Sequence, residues 1–118
     1  MGMLDELRDL GVDVDKALKL LNGKTALYEK LLVKFADMIK KADIRTDFDS
    51  NDCKAMMETT HMIKGSAGNL SITPLFKAYS DIMQLFREGK PEEARAGLIS
   101  VLPVQESIIA CIDKYSGA

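Results

Sequence analysis

His61 is the only histidine in the chain, and the stretch around it, on through Met62-Ile63-Lys64-Gly65-Ser66-Ala67-Gly68-Asn69-Leu70, reads as a helix. At about 100° per residue, Met56, Thr59, Ile63, Ser66, Ala67 and Leu70 fall on one side. His61 falls near the middle of the other, with Lys54, Met57, Glu58, Lys64, Gly65 and Gly68. The imidazole should therefore face solvent, with a cation one turn on and glycines beside it. Glycine inside a helix costs about 1 kcal/mol relative to alanine, and core packing does not explain Gly65 and Gly68 on a solvent-facing side. A bare patch next to a nucleophile would let another protein come close. Spacing alone leaves a second reading open: an ordinary surface histidine, with glycines that mark a frayed helix end.

The elements that must position His61 follow from the rest of the chain. A length of 118 residues suggests one domain, and 47% hydrophobic residues are ample for one core. The net charge of −2, without a basic block, argues against nucleic acid as the main partner. No apolar run approaches the about 20 residues needed to span a bilayer, so no membrane insertion is expected. The N-terminus has no basic segment followed by an apolar one, so it does not read as a signal peptide and a cytoplasmic location is expected. Cys53 and Cys111 are expected to be free, buried thiols. One His and two Cys without grouping make no metal site.

In chain order, Met3 to Leu10 is a short amphipathic piece ended by Gly11. Asp13 suits an N-cap for a helix that stops at Asn22-Gly23. Gly23-Lys24-Thr25 resembles the end of a phosphate-binding loop, but the glycine that pattern requires upstream is Leu18, and no strand precedes it. Lys24 to Asp43 is a long helix with an apolar stripe of Leu27, Leu31, Phe35, Met38, Ile39 and Ala42. Arg45 to Ser50 reads as a loop, with Asp49 or Ser50 capping the helix that carries His61 to about Leu70. Thr73 is expected to cap the next helix, with Pro74 in its first position. That helix turns Leu75, Ala78, Tyr79, Ile82, Leu85 and Phe86 inward. Glu88-Gly89-Lys90-Pro91 is a hairpin loop, followed by Glu92 and Glu93 at the positive end of the last helix. Pro103 should kink or split that helix, and Tyr115-Ser116-Gly117-Ala118 should form a loose tail. No run alternates with period two. The expected fold is all-α: an antiparallel up-down four-helix bundle, with the short N-terminal helices covering one end.

His61, Lys64, Gly65, Ser66, Ala67, Gly68 and Asn69 together resemble the signature of the histidine-containing phosphotransfer (HPt) domains of bacterial two-component phosphorelays. The pattern there is a histidine, a lysine three residues on, then Gly-Ser-Ala-Gly-Asn. Gly11-Val12-Asp13, Ala17-Leu18, Leu27-Tyr28, Leu31-Leu32 and Phe35 resemble the helices that precede the histidine in such domains. The likeness runs from about residue 10 to the C-terminus, so a single HPt domain over 1–118 is expected. It implies the same four-helix bundle and a role as phosphorelay intermediate.

In that role the phosphoryl group passes from a receiver phosphoaspartate to His61 and then to another receiver aspartate. A phosphoryl carrier needs an accessible nucleophile that is neutral at working pH, and imidazole, with an ordinary pKa near ~6.5, qualifies. A cation should stabilise the charge spread over the phosphoryl oxygens, and Lys64 is a helical neighbour of His61. Ser66 is expected to pack against a neighbouring helix. Gly65 and Gly68 leave room for the receiver, Asn69 lies at its edge, and Met57, Tyr79 and Met83 are either apolar contacts to the receiver or plain core or rim packing. The chain shows no nucleotide loop and no acidic cluster for Mg²⁺ beside the histidine. A carrier without autonomous kinase activity is therefore expected, with no cofactor of its own and with Mg²⁺ supplied by the receiver. The implied partners are response-regulator receiver domains or a hybrid sensor histidine kinase, and we expect a monomer. The rivals are a phosphorylation-silent helical adaptor, the phosphotransfer domain of a chemotaxis-type kinase, and the phosphoacceptor helix of a sensor kinase. Met62 counts against the last, which carries an acidic residue after the histidine. Tyr79-Ser80-Asp81-Ile82 departs from the usual family pattern.

Overall fold

Amphipathic periodicity of 3.6 residues, interrupted at Gly, Asn and Pro and by the polar stretch 43–52, favours helix along the chain. The structure, a computed structural model, describes residues 2–117, and these contain six α-helices and no strand. They are α1 Met3–Asp9, α2 Val14–Leu20, α3 Thr25–Lys41, α4 Lys54–Asn69, α5 Thr73–Arg87 and α6 Pro91–Ser116. Helix α3 packs against α4 and α6, and α5 packs against α4 and α6. Helix α1 lies on α6 and α2, and α2 reaches α3. One core joins all six: Leu7, Val14, Leu32, Ile63, Leu75 and Ile112 from successive helices are fully or almost fully buried. Each such side chain contributes roughly 1.5–3 kcal/mol on burial.

Local chemistry accounts for several helix ends. The Asp13 carboxylate accepts from the Lys16 N–H at 3.2 Å, the N-cap expected there. Asn22 and Gly23 both take the left-handed conformation, at φ 55° and 76°, and the Gly23 N–H returns to the Leu18 carbonyl at 2.7 Å. Pro91 opens α6, with Glu92 and Glu93 in its first turn.

Other expectations are corrected. The buried stripe of α3 is Tyr28, Leu32, Phe35, Ala36 and Ile39: Phe35 and Ile39 are buried as expected, but Tyr28 and Leu32 take the places expected of Leu27 and Leu31, and Leu27 is exposed. The Tyr28 hydroxyl donates to the Leu70 carbonyl at 2.7 Å, so the buried phenol is satisfied. Burial pushes its pKa up to about 12. On α4, Thr60 rather than Thr59 is buried.

Neither Asp49 nor Ser50 caps α4, which starts at Lys54 with Cys53 before it. The Asp49 carboxylate accepts from the Asn51 N–H instead, and the Ser50 hydroxyl donates to Glu92 and accepts from Arg95. Arg95 gathers the whole loop. Its guanidinium donates to the carbonyls of Thr46 and Phe48 and lies 4.1 Å from the centre of the Phe48 ring. Thr73 is the first residue of α5, and Ile72 precedes it as the cap. Its hydroxyl donates to the Ser71 carbonyl.

Pro103 does not split α6, which is helical throughout its 26 residues. Pro103 and Ile99 both lie on the solvent side, so the carbonyl that the proline leaves without a donor can be hydrated. Helix α6 is also long and apolar enough, by length and composition, to cross a membrane. Between Ala96 and Ile112 only Glu106 is charged, which corrects the expectation that no such stretch exists. Its Leu98, Val101, Ile108 and Ile112 lie in the core of the chain. Cys53 and Cys111 are free, but only Cys111 is buried, and burial pushes its thiol up to about 11.

Tyr115 and Ser116 belong to α6 instead of a tail, and Ala118 lies outside the described residues. The Glu6 carboxylate of α1 accepts from Lys114 Nζ and from the Tyr115 hydroxyl, each at 2.7 Å. The Lys114 contact, then Tyr115, holds Glu6 below the ordinary value of 4.5. A carboxylate lowered in the folded state stabilises the fold above its ordinary value, and the contribution is lost as pH falls through the folded value. Thermal melts of wild type and Glu6→Gln should therefore differ at neutral pH and converge as pH falls below 4.5.

Candidate functional site

Helix α4 is held from one side only. Thr60, Ile63 and Ala67 are fully buried, Met56 nearly so, and they fix the rotation of the helix about its axis. Its C-terminal end is pinned twice. The Leu70 carbonyl accepts from Tyr28, and the Ala67 carbonyl accepts from the Ile72 N–H at 2.9 Å. His61 follows Thr60 and precedes Ile63 by two residues, so the same packing turns it to solvent in mid-helix.

Among the described residues, His61 forms no hydrogen bond or ion pair. Lys64, half-buried one turn on, is likewise in no ion pair. No carboxylate among the described residues is hydrogen-bonded to the imidazole. The chemistry open to it is that of an exposed nucleophile with a neighbouring free cation. Among the described residues no group of three or more His, Cys, Asp or Glu side chains could hold a metal ion.

The two glycines differ. A Cβ added at Gly65 would meet nothing within 4 Å. A Cβ added at Gly68 would come 2.8 Å from the Phe76 ring of α5. Gly68 is therefore explained by packing within the chain, against the expectation for it, and Gly65 is not.

Met57 is half-buried and Asn69 is exposed at the end of α4. The Ser66 hydroxyl approaches Met38 Sδ at 3.5 Å, the neighbouring-helix contact expected of it. Tyr79 and Met83 are buried, with exposures of 0% and 7%, which fits packing inside the chain and not an apolar contact with a receiver. The Tyr79 hydroxyl donates to the buried Gln105 side chain at 2.5 Å. The exposed apolar groups near His61 are Met62, on the α3 side beside Lys34 and Lys41, and Phe76 on the α5 side. Sequence reasoning missed Phe76. Its signal was an aromatic residue off the apolar column Leu75–Tyr79–Ile82 that it adjoins.

No family model, no curated protein and no solved structure matches the chain.

Because the space beside Gly65 is open, Gly65→Ala should raise stability by up to about 1 kcal/mol through helix propensity alone. Gly68→Ala should gain less or lose, since the Phe76 ring must move. Urea midpoints of the two variants check this, and a larger gain at Gly68 than at Gly65 would contradict the geometry.

Proposed function

We propose that the protein is an HPt-type phosphoryl carrier, in which His61 accepts a phosphoryl group from a receiver-domain phosphoaspartate and returns it to another receiver aspartate. The observation that carries this reading is Gly65. It sits one turn from an exposed, unpartnered histidine, costs helix stability, and has no packing reason within the chain. Bare backbone there fits the close approach of a second protein. The unpaired Lys64 supports the same reading. So does the likeness of His61, Lys64, Gly65, Ser66, Ala67, Gly68 and Asn69 to the HPt signature. The packing of α3, α4, α5 and α6 fits an antiparallel up-down four-helix bundle, with α1 and α2 covering one end.

In this mechanism the lone pair of neutral His61 Nε2 attacks the phosphorus of the phosphoaspartate. The P–O bond breaks, and the receiver carboxylate departs with its electron pair. The phosphoryl group is then on Nε2, and the proton on Nδ1 can exchange with water. Transfer onward reverses these steps with a second receiver carboxylate as nucleophile. Lys64 offsets charge on the phosphoryl oxygens as the group moves. The divalent cation of the reaction belongs to the receiver, so the chain alone is no kinase. Met57 and Asn69 adjoin the docking face. Gly68 contributes to it by letting Phe76 lie close over α4, so that Phe76, and not the buried Tyr79 or Met83, supplies the apolar contact on the α5 side. A cytoplasmic monomer meeting receiver domains or a hybrid kinase completes the proposal.

The test is phosphoryl transfer from a panel of phosphorylated receiver domains. Lys64→Ala should fold normally and transfer at least about tenfold more slowly, the loss of roughly 1.4 kcal/mol of transition-state stabilisation. Gly65→Leu should also fold, because its side chain meets open space, and should fail to accept the group. An unchanged transfer rate in Gly65→Leu would overturn the docking face. A fully folded wild type that no receiver labels would favour the silent adaptor.

A further inference from the structure

Sulfur is the most readily oxidised element of the chain, and its exposure is uneven. Met3, Met56 and Met83 are buried, with exposures of 4%, 3% and 7%, and Met38 and Met57 are half-buried. Met62, at 42%, is the only exposed methionine among the described residues. Two of the shielded sulfurs are also engaged. Met56 Sδ accepts from the Arg45 N–H at 3.4 Å, and Met38 Sδ accepts from the Ser66 hydroxyl at 3.5 Å. Met62 Sδ forms no hydrogen bond among the described residues. The thiols do not compete. Burial raises the pKa of both Cys53 and Cys111, which leaves little of the reactive thiolate.

A lone exposed apolar side chain is ordinary on a protein surface. The placement of this one is specific. Met62 directly follows His61 and lies about 100° further round α4, on the side of α3. There it lines a depression of about 480 Å³ with Lys34, Asp37, Met38, Lys41 and Ala42. Lys34 and Lys41 are exposed and, among the described residues, in no ion pair.

We propose that Met62 is a redox modification site, where a hydroperoxide converts the thioether to the sulfoxide and thereby weakens docking beside His61. The effect on docking rests on the phosphoryl-carrier function. A sulfur lone pair attacks one oxygen of hydrogen peroxide. The S–O bond forms as the O–O bond breaks, and the proton on the transferred oxygen ends on the departing one, which leaves as water. Sulfur is oxidised by two electrons and the peroxide is reduced. The ammonium groups of Lys34 and Lys41 line the same depression and can donate to the departing oxygen. The product carries a strongly polar S–O group in place of a flexible apolar one. Covering that group with an apolar protein surface removes it from water without a partner, so the encounter is weakened. The core methionines are shielded, so the fold is unaffected.

The experiment treats the protein with graded hydrogen peroxide and maps each methionine by peptide mass spectrometry. Met62 should be oxidised at least about fivefold faster than Met38 or Met57. Transfer from a receiver domain that labels the untreated protein should fall at least about fivefold on conversion of Met62. It should recover after treatment with methionine sulfoxide reductases for both epimers. Met62→Leu should transfer at one rate before and after the same dose. Labelling of His61 by phosphoramidate, a small donor that requires no docking, should not change, which separates weakened docking from damage to the imidazole. Earlier oxidation of Met38 or Met57, an unchanged receiver rate in the Met62 sulfoxide, or an equal loss in Met62→Leu would overturn the proposal. If no receiver labels the untreated protein, the carrier function fails and the effect on docking falls with it, while the order of oxidation still decides the modification site.

Discussion

The burial of one face of α4 is the constraint on which the rest depends. Met56, Thr60, Ile63 and Ala67 are spaced four, three and four residues apart, and all are withdrawn from solvent. A rotation that brought His61 inward would expose Ile63 and Thr60's neighbours and place an imidazole in an apolar core without a partner. The helix cannot turn, so His61 must face out. The ties at its C-terminal end, from Tyr28 to Leu70 and from Ile72 to Ala67, keep the following residues in register with α5. The same ties bring Phe76 over Gly68.

Gly65 and Gly68 look equivalent in the amino-acid sequence, and the structure separates them. Gly68 lets an aromatic ring of the same chain lie close, a structural use of a missing Cβ. Gly65 has open space where its side chain would be. A residue that weakens its own helix and fills no role inside the fold is reasonably sought in an encounter with another molecule. That contrast carries the proposed function more than the exposure of His61 does, since exposed histidines are common.

Much of the architecture was legible because its signals are local. Asp13, Asn22-Gly23 and Pro91 act through bonds or conformations of their immediate neighbours, and helix ends fall where they direct. The outward placement of His61 follows from periodicity alone. What was not legible involves partners distant in the chain. On α3, Leu27-Tyr28 and Leu31-Leu32 offer two adjacent apolar columns, and packing against the other helices, with the Tyr28 bond to Leu70, buries the second. Asp49 and Ser50 carry cap chemistry, but Asn51, Glu92 and Arg95 claim it. Tyr79 and Met83 belong to the core for the same reason that Phe76 does not: the contact of α5 with α4 and α6 sets which column is covered.

The central claim is that His61 carries a phosphoryl group on nitrogen, and one comparison tests it most directly. Wild type and His61→Gln are incubated with the same labelled, phosphorylated receiver domains, and any label on the chain is challenged with acid and with base. The account predicts label on wild type alone, lost in acid and retained in base, as a phosphoramidate bond requires. Label on His61→Gln, or an acid-stable bond on wild type, would contradict it.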